Sequence, residues 1–261
     1  MQLHLVFAKC NRSDWAGAWQ TLEPWTRDLD PNQVDGTDAL ELATLYLTGL
    51  LKQATGDLPT ALHYFRSPAL TLQQQPAQQK PNNSLAHDLR LLSTLNTILI
   101  LRPRGTNSKP EIERLLSLLQ PFCANHPDKS FTAAFYLCAA NQSAELPIIQ
   151  MKRFLSQAAS AAQQMANLQL RCVTTNIMTQ IFFTNIVGDA AEKTAKASWG
   201  MSRRIRSELW QAVSAGMMSR TLEINGAKEG AEKARAEAEA LAEGLPERLK
   251  VALWEGGQGM G

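Results

Sequence analysis

The chain has only four cysteines among its 261 residues, and no two of them form a CxxC pair. Cys10, Cys123, Cys138 and Cys172 are far apart, which excludes a dense disulfide framework and a zinc site built from two paired half-sites. Cys123 and His126 share one C-x2-H spacing, but zinc needs about four ligands and no second pair follows. Aromatics are scarce at 7%, and Gly 15 with Pro 12 is low for a sheet protein of this size. No apolar run approaches the ~20 residues that span a bilayer; Ile98–Leu101 and Ile181–Phe183 are typical of the longest. An excess of one charge is missing too. Lys+Arg 26 against Asp+Glu 24 leaves +2, without the basic excess of a dedicated nucleic-acid binder. Residues 1–11 lack a charged start followed by a long apolar stretch. A reduced intracellular compartment is therefore expected, with the thiols acting as small buried apolar groups.

The usual marks of catalysis are absent as well. There is no GxSxG elbow, GxxxxGK[ST] phosphate loop, HExxH helix or calcium-binding loop. His4, His63, His87 and His126 are scattered, and Glu111 and Glu113 would point apart on a helix. No catalytic residue, metal ligand or cofactor is expected.

What the chain does have is helical periodicity almost throughout. Leu42, Leu45, Tyr46, Gly49 and Leu50 line one helix face, as do Leu89, Leu92, Asn96, Leu99 and Ile100. Phe131, Ala134, Phe135, Cys138 and Ala139 repeat the pattern, followed by Val173, Ile177, Gln180 and Ile181, then Leu209, Val213, Met217, Thr221 and Leu222. Turn signals separate the runs at Thr55-Gly56-Asp57, Gly188-Asp189 and Asn225-Gly226. Ser108-Lys109-Pro110-Glu111 and Asp128-Lys129-Ser130 read as helix starts. The spacing predicts six helix pairs: 1–11 with 14–28, 37–54 with 58–67, 85–102 with 109–125, 129–142 with 146–164, 166–187 with 189–204, and 206–225 with 227–243. A short last helix is expected at 246–254. Residues 71–84 read as a flexible polar loop, Pro103 to Lys109 as a shorter one, and 255–261 as a disordered tail. Residues 1–254 are expected to form a single helical-repeat domain.

A repeat of about 34 residues underlies the pairs. In its clearest copy, Gly49 sits in the first helix, Gly56-Asp57 makes the turn, and Ala61 and Phe65 lie in the second helix. Gly49 and Ala61 must be small for two antiparallel helices to approach closely, with Phe65 filling the gap to the next pair. Ser219, Gly226, Ala231 and Ala238 form a second copy; Gly188-Asp189 with the alanines after it, and Ser13-Asp14 with Trp15, Ala18, Leu22 and Trp25, form degenerate ones. These are tetratricopeptide positions. They predict an all-α fold, a tetratricopeptide-like α-solenoid in which antiparallel helix pairs wind into a right-handed superhelix; an irregular helical bundle is the competing reading. Such a solenoid offers a groove lined by first helices, suited to an extended peptide.

Polar residues on apolar first helices are candidates to line that groove: Arg90, Asn96, Arg171, Asn176, Gln180 and Gln211, joined by Tyr46 and Gln53. They are either satisfied inside the fold or bond a partner's backbone. Lys193, Lys196, Arg203, Arg204 and Arg206 form the one local basic cluster, which is either favourable charge at a helix C-terminus or a contact for an acidic partner or a phosphate. Trp15, Trp19 and Trp25 read as core or as a wedge between repeats, and an exposed Trp there would mark a binding hot spot. The Lys228–Glu243 run reads as a solvated charged helix face.

Leu45 to Leu58, with Ala61-Leu62 and Phe65-Arg66-Ser67-Pro68, resembles the fungal cohesin loading factor family, the tetratricopeptide subunit of the cohesin loader. Asp88 to Leu92, Leu95 to Arg102, Gln169 to Cys172, Phe182-Phe183, Val187-Gly188, Ala191 to Lys193, Ala195 to Ser198, Leu222-Glu223 to Gly226, Ala231-Glu232 and Leu245-Pro246 are similar to it too. The likeness is scattered over 38–250 and corresponds to the carboxy-terminal half of such a subunit, so a fragment or truncated gene model is expected. The resemblance implies a non-enzymatic nuclear adaptor, associated with chromatin. It would hold the extended N-terminal segment of the large loader subunit in a heterodimer and help load cohesin for sister-chromatid cohesion. Cohesin and chromatin would be met indirectly, direct DNA contact stays open, and no membrane is involved. An adaptor of another assembly, of ubiquitin-ligase or proteasome-lid type, and an unrecognised helical enzyme are the alternatives.

Overall fold

The structure is a computed structural model that describes residues 2–11, 14–27, 29–34, 36–72, 85–140, 147–165, 168–185, 189–205 and 208–244. Among these residues the chain is all-helical, with twelve α-helices, two 3-10 turns and no strand. Two compact units are present: the described residues up to Cys123 form the first, and those from Ala124 onward form the second. The short helix expected at 246–254, the tail 255–261, residues 73–84 of the polar loop, Gly188 and Arg206 lie outside the described residues.

The first unit contains α1 (Gln2–Asn11), α2 (Trp15–Thr26), α3 (Ala39–Ala54), α4 (Leu58–Phe65), α5 (Leu85–Leu101) and α6 (Lys109–Cys123). Aspartates start several of them: the Asp14 carboxylate accepts from the Gly17 amide, Asp38 from Leu40 and Asp57 from Thr60. Each satisfies an amide that the first helical turn leaves without a partner. Helix α3 is the centre of the unit, packed by α1, α2, α4 and α5. Every residue from Leu42 to Gly49 is buried in consequence. The buried hydroxyls on α3 are satisfied within the helix, Thr44 donating to the Leu40 carbonyl and Thr48 to that of Thr44.

Glycine makes the α3–α4 hairpin possible at two points. Gly56 takes φ +80 in the turn, where an L side chain is strained. Gly49 faces the Phe65 ring so closely that an added Cβ would lie 2.8 Å from its Cε1. Ala61 is fully buried in the same hairpin. Phe65 lies against Gly49 and Tyr46 of its own pair, with its ring 5.9 Å from that of Tyr46. The stretch expected as a loop from Pro103 to Lys109 is instead a 3-10 helix over Arg102–Ser108. A proline early in a helical turn supplies a fitting φ and lacks only an amide that has no partner there.

The second unit contains α7 (Lys129–Ala140), α8 (Ile148–Gln163), α9 (Leu168–Asn185), α10 (Asp189–Ile205), α11 (Glu208–Ile224) and α12 (Lys228–Ala242). Its core is rich in alanine: Ala133 packs with Ala161 and Ala162, and Ala195 with Met218 and Ala234. Small side chains let helix axes approach, so backbone packing replaces large side chains. The α11–α12 turn closes as α3–α4 does. Gly226 takes φ +79, its amide donates to the Glu223 carbonyl, and the Ala227 amide reaches back to Leu222. These two bonds cap the last carbonyls of α11 in the Schellman manner. Ser219 stands where Gly49 stands in the first hairpin, and its hydroxyl donates to the Ala231 carbonyl at 2.8 Å. Ala238 is half-buried opposite Gly216.

The contact order is the same in both units. Each helix packs on its hairpin partner, and the first helices also pack on one another: α1 on α3 and α3 on α5 in the first unit, α7 on α9 and α9 on α11 in the second.

Candidate functional site

Tyr46, Gln53, Arg90 and Asn96 come from the first unit. Tyr46 is only 5% exposed, stacked on Phe7 at 6.5 Å and tilted against Phe65. Its hydroxyl accepts from Asn96 Nδ2 at 3.3 Å, and the same Nδ2 donates to the Leu92 carbonyl at 2.9 Å. Burial pushes the Tyr46 phenol from its ordinary 10 up to about 12, although the Asn96 bond pulls the other way. The folded state therefore favours the neutral phenol. That stability is intact below about pH 10 and drains as pH rises through the folded value of about 12. An alkaline absorbance titration should show Tyr46 ionising late, together with unfolding, and Tyr46→Phe should remove that step, leaving Tyr64, which burial also raises.

Arg90 ties two connecting segments to α5. Its Nε donates to the Ala69 carbonyl at 2.9 Å and its Nη2 to the Gly36 carbonyl at 3.1 Å. Gln53 is half-buried, and its Oε1 is buried without a hydrogen-bond partner among the described residues. Among the three tryptophans of this unit, Trp15 and Trp19 are half-buried, with the Lys52 ammonium over the Trp19 ring, and Trp25 is 44% exposed.

In the second unit, Asn176 is the centre of a buried polar knot joining α9, α10 and α11. Its Nδ2 donates to Ser214 Oγ at 3.0 Å, while its Oδ1 accepts from the hydroxyls of Ser198 and, at 3.2 Å, Ser214. The two serine hydroxyls are 3.0 Å apart, and the Cys172 thiol lies against the Ser198 carbonyl at 3.6 Å. Burial pushes the Cys172 thiol up, and its bonds to Ser214, Ser198 and Asn176 oppose the shift. A thiol held protonated is a poor nucleophile, so the knot serves to join helices. Arg171 and Gln211 are half-buried and Gln180 is exposed.

The sequence left two roles open for these polar residues. Tyr46 and Asn176 are buried and hydrogen-bonded inside the fold, the first of the two roles the sequence left open for them. Arg90 is held by backbone carbonyls in the same way. The cause is helix packing: neighbouring helices bring acceptors to these groups that the chain's own periodicity does not reveal. Sequence reasoning missed Ser198 and Ser214, whose small hydroxyls carry no local signal.

The basic cluster lies on α10. Lys193, Lys196, Arg203 and Arg204 are all exposed. Lys196 pairs with Glu192, whose carboxyl is held below its ordinary value by Lys196 first and by Asn225 second. Arg203 pairs with Glu237 at 2.9 Å and lies over the Trp199 ring at 4.2 Å.

The profile of the family described as cohesin loading factor matches residues 1–229. The chain belongs to the cohesin loading factor family. Its role accordingly lies in cohesin loading, and the family is one of loader subunits, not a known enzyme family. No curated protein and no solved structure matches this cohesin loading factor. The family profile covers every described helix up to α11 and the first residues of α12. It thus includes the packed first helices, the Asn176 knot and the basic face of α10.

Proposed function

We propose that this cohesin loading factor is a non-enzymatic, tetratricopeptide-like scaffold of the loader. It holds an extended segment of the large loader subunit along its first helices, in a heterodimer acting on chromatin in the nucleus. The observation that carries this reading is the contact of successive first helices, α1–α3–α5 in one unit and α7–α9–α11 in the other. Stacked in this way, helices give a row of parallel ridges, a surface that an extended chain can follow. Gln53 and the exposed Leu99 stand on the row in the first unit, and Arg171, Gln180 and Gln211 in the second. Amide side chains suit a peptide backbone because each offers a donor and an acceptor.

The test is co-purification and titration of the full chain with the large loader subunit. Combined Gln53→Ala, Leu99→Glu, Gln180→Ala and Gln211→Ala should weaken the complex at least about tenfold, with the helical circular dichroism signal unchanged. Affinity equal to that of the unaltered chain would overturn the assignment of this row.

A further inference from the structure

We infer that helices α9 to α12 form a conditional block: they open together while the first unit stays folded, and a partner segment lying along α9 and α11 closes them. The opening is independent of the scaffold reading, whereas the closing rests on it.

The core of this block is built differently from that of the first unit. Of the twelve largest fully buried side chains among the described residues, eleven lie in the first unit and the twelfth is Leu155 of α8. Among the described residues of α9–α12, the buried apolar side chains are six alanines, Cys172 and Met218, with no buried leucine, isoleucine, valine or aromatic ring. Eight buried serine, threonine and asparagine side chains share that core. Removal of apolar area from water is the dominant force in packing helices together, and an alanine supplies far less of it than a leucine. A hydrogen bond inside the fold replaces one with water, so the Asn176 knot fixes the geometry without making up the difference.

The large apolar residues of the block stand outside its core. Val173 on α9 and Trp210, Val213 and Met217 on α11 are each half-buried. Ile177 and Met178 of α9 pack instead on the α7–α8 cluster around Leu137 and Leu155. Two mid-helix glycines weaken the block further. Gly49 is required by the Phe65 ring, but a Cβ at Gly200 meets nothing within 4 Å, and one at Gly216 meets only Ala238, at 4.0 Å. Glycine at such positions costs helix stability relative to alanine, with no packing need to set against it. A block with few buried apolar contacts opens at a lower free energy than the molecule as a whole. The apolar surface left half-covered on α9 and α11, both first helices, is what a bound segment would complete. A segment that binds only the closed form stabilises that form by mass action.

The test is hydrogen exchange followed by mass spectrometry on the full chain, alone and with the large loader subunit. Alone, the slowest amides of α9–α12 should share a common protection factor, at least about a hundredfold below that of α3 and α5. With the subunit at about 100 times its dissociation constant, protection should rise about a hundredfold across all four helices. The decisive helices are α10 and α12, because the row proposed above runs along first helices only and a surface footprint would not protect them. Gly200→Ala should slow opening of the free block about fourfold, and Asn176→Ala should speed it at least about tenfold, with α3 and α5 unchanged in both. Protection in α9–α12 equal to that in α3, or a gain with the subunit confined to α9 and α11, would overturn the inference. A fast-opening block in a chain that does not bind the subunit would sink the scaffold reading and the closing step with it, while the opening stands.

Discussion

Asn176→Ala is expected to cost about 3 kcal/mol of unfolding free energy, the largest effect of any single truncation considered for this chain. The side chain is 2% exposed and supplies both a donor and an acceptor to hydroxyls on two other helices. Its removal leaves Ser198 and Ser214 with little besides each other, and it opens a cavity where α9, α10 and α11 meet. Urea unfolding of the second unit, followed through Trp199 and Trp210, reads the loss. A combined Asn176→Leu, Ser198→Ala and Ser214→Ala variant should be much less damaged, because removing all the polar partners together leaves no orphaned group. If the single variant is as stable as the parent, the knot does not hold the three helices together.

Gly49→Ala is expected to destabilise the first unit by about 2 kcal/mol, although alanine is the better helix former by about 1 kcal/mol. The new Cβ would lie 2.8 Å from Phe65 Cε1 and 3.0 Å from Cδ1. Phe65 is 2% exposed and backed by Tyr46, so its ring has nowhere to turn. Ala61→Leu should overpack the same hairpin, at about 1–3 kcal/mol. Gly56→Ala tests a different cause: its Cβ meets nothing within 4 Å, and only the positive φ opposes it, at about 1–2 kcal/mol. Equilibrium denaturation separates the cases, since only the steric positions should worsen as the new side chain grows. A stabilised Gly49→Ala would mean that α3 and α4 do not meet where the structure places them.

The twelve described helices and their pairing were legible because helical period, aspartate caps and turn glycines are all written within a few residues of one another. The spacing of Gly49, Gly56 and Ala61 recurs in Ser219, Gly226 and Ala231, and local chain geometry accounts for both turns. Even the small side chains at the hairpin contact could be named, because close approach of two antiparallel helices demands them. The extent of burial on α3 could not. Its period marks one face, but Ala43, Thr44, Leu47 and Thr48 are covered as well, since four other helices surround it. The roles of the polar residues were equally hidden. Asn96, Asn176 and Arg90 all look like groove residues along the chain, and what satisfies them comes from Tyr46, Ser198, Ser214, Ala69 and Gly36, at separations of 21 to 54 residues for all but Leu92.

By itself, then, the sequence determined that this chain is helical, where its hairpins turn and to which family it is akin, because those properties arise from contacts between near neighbours along the chain. Only the tertiary structure decided which polar side chains are spent holding helices together and which remain for a partner. A hydrogen bond needs its donor and acceptor within about 3 Å, and distance along the chain does not predict that.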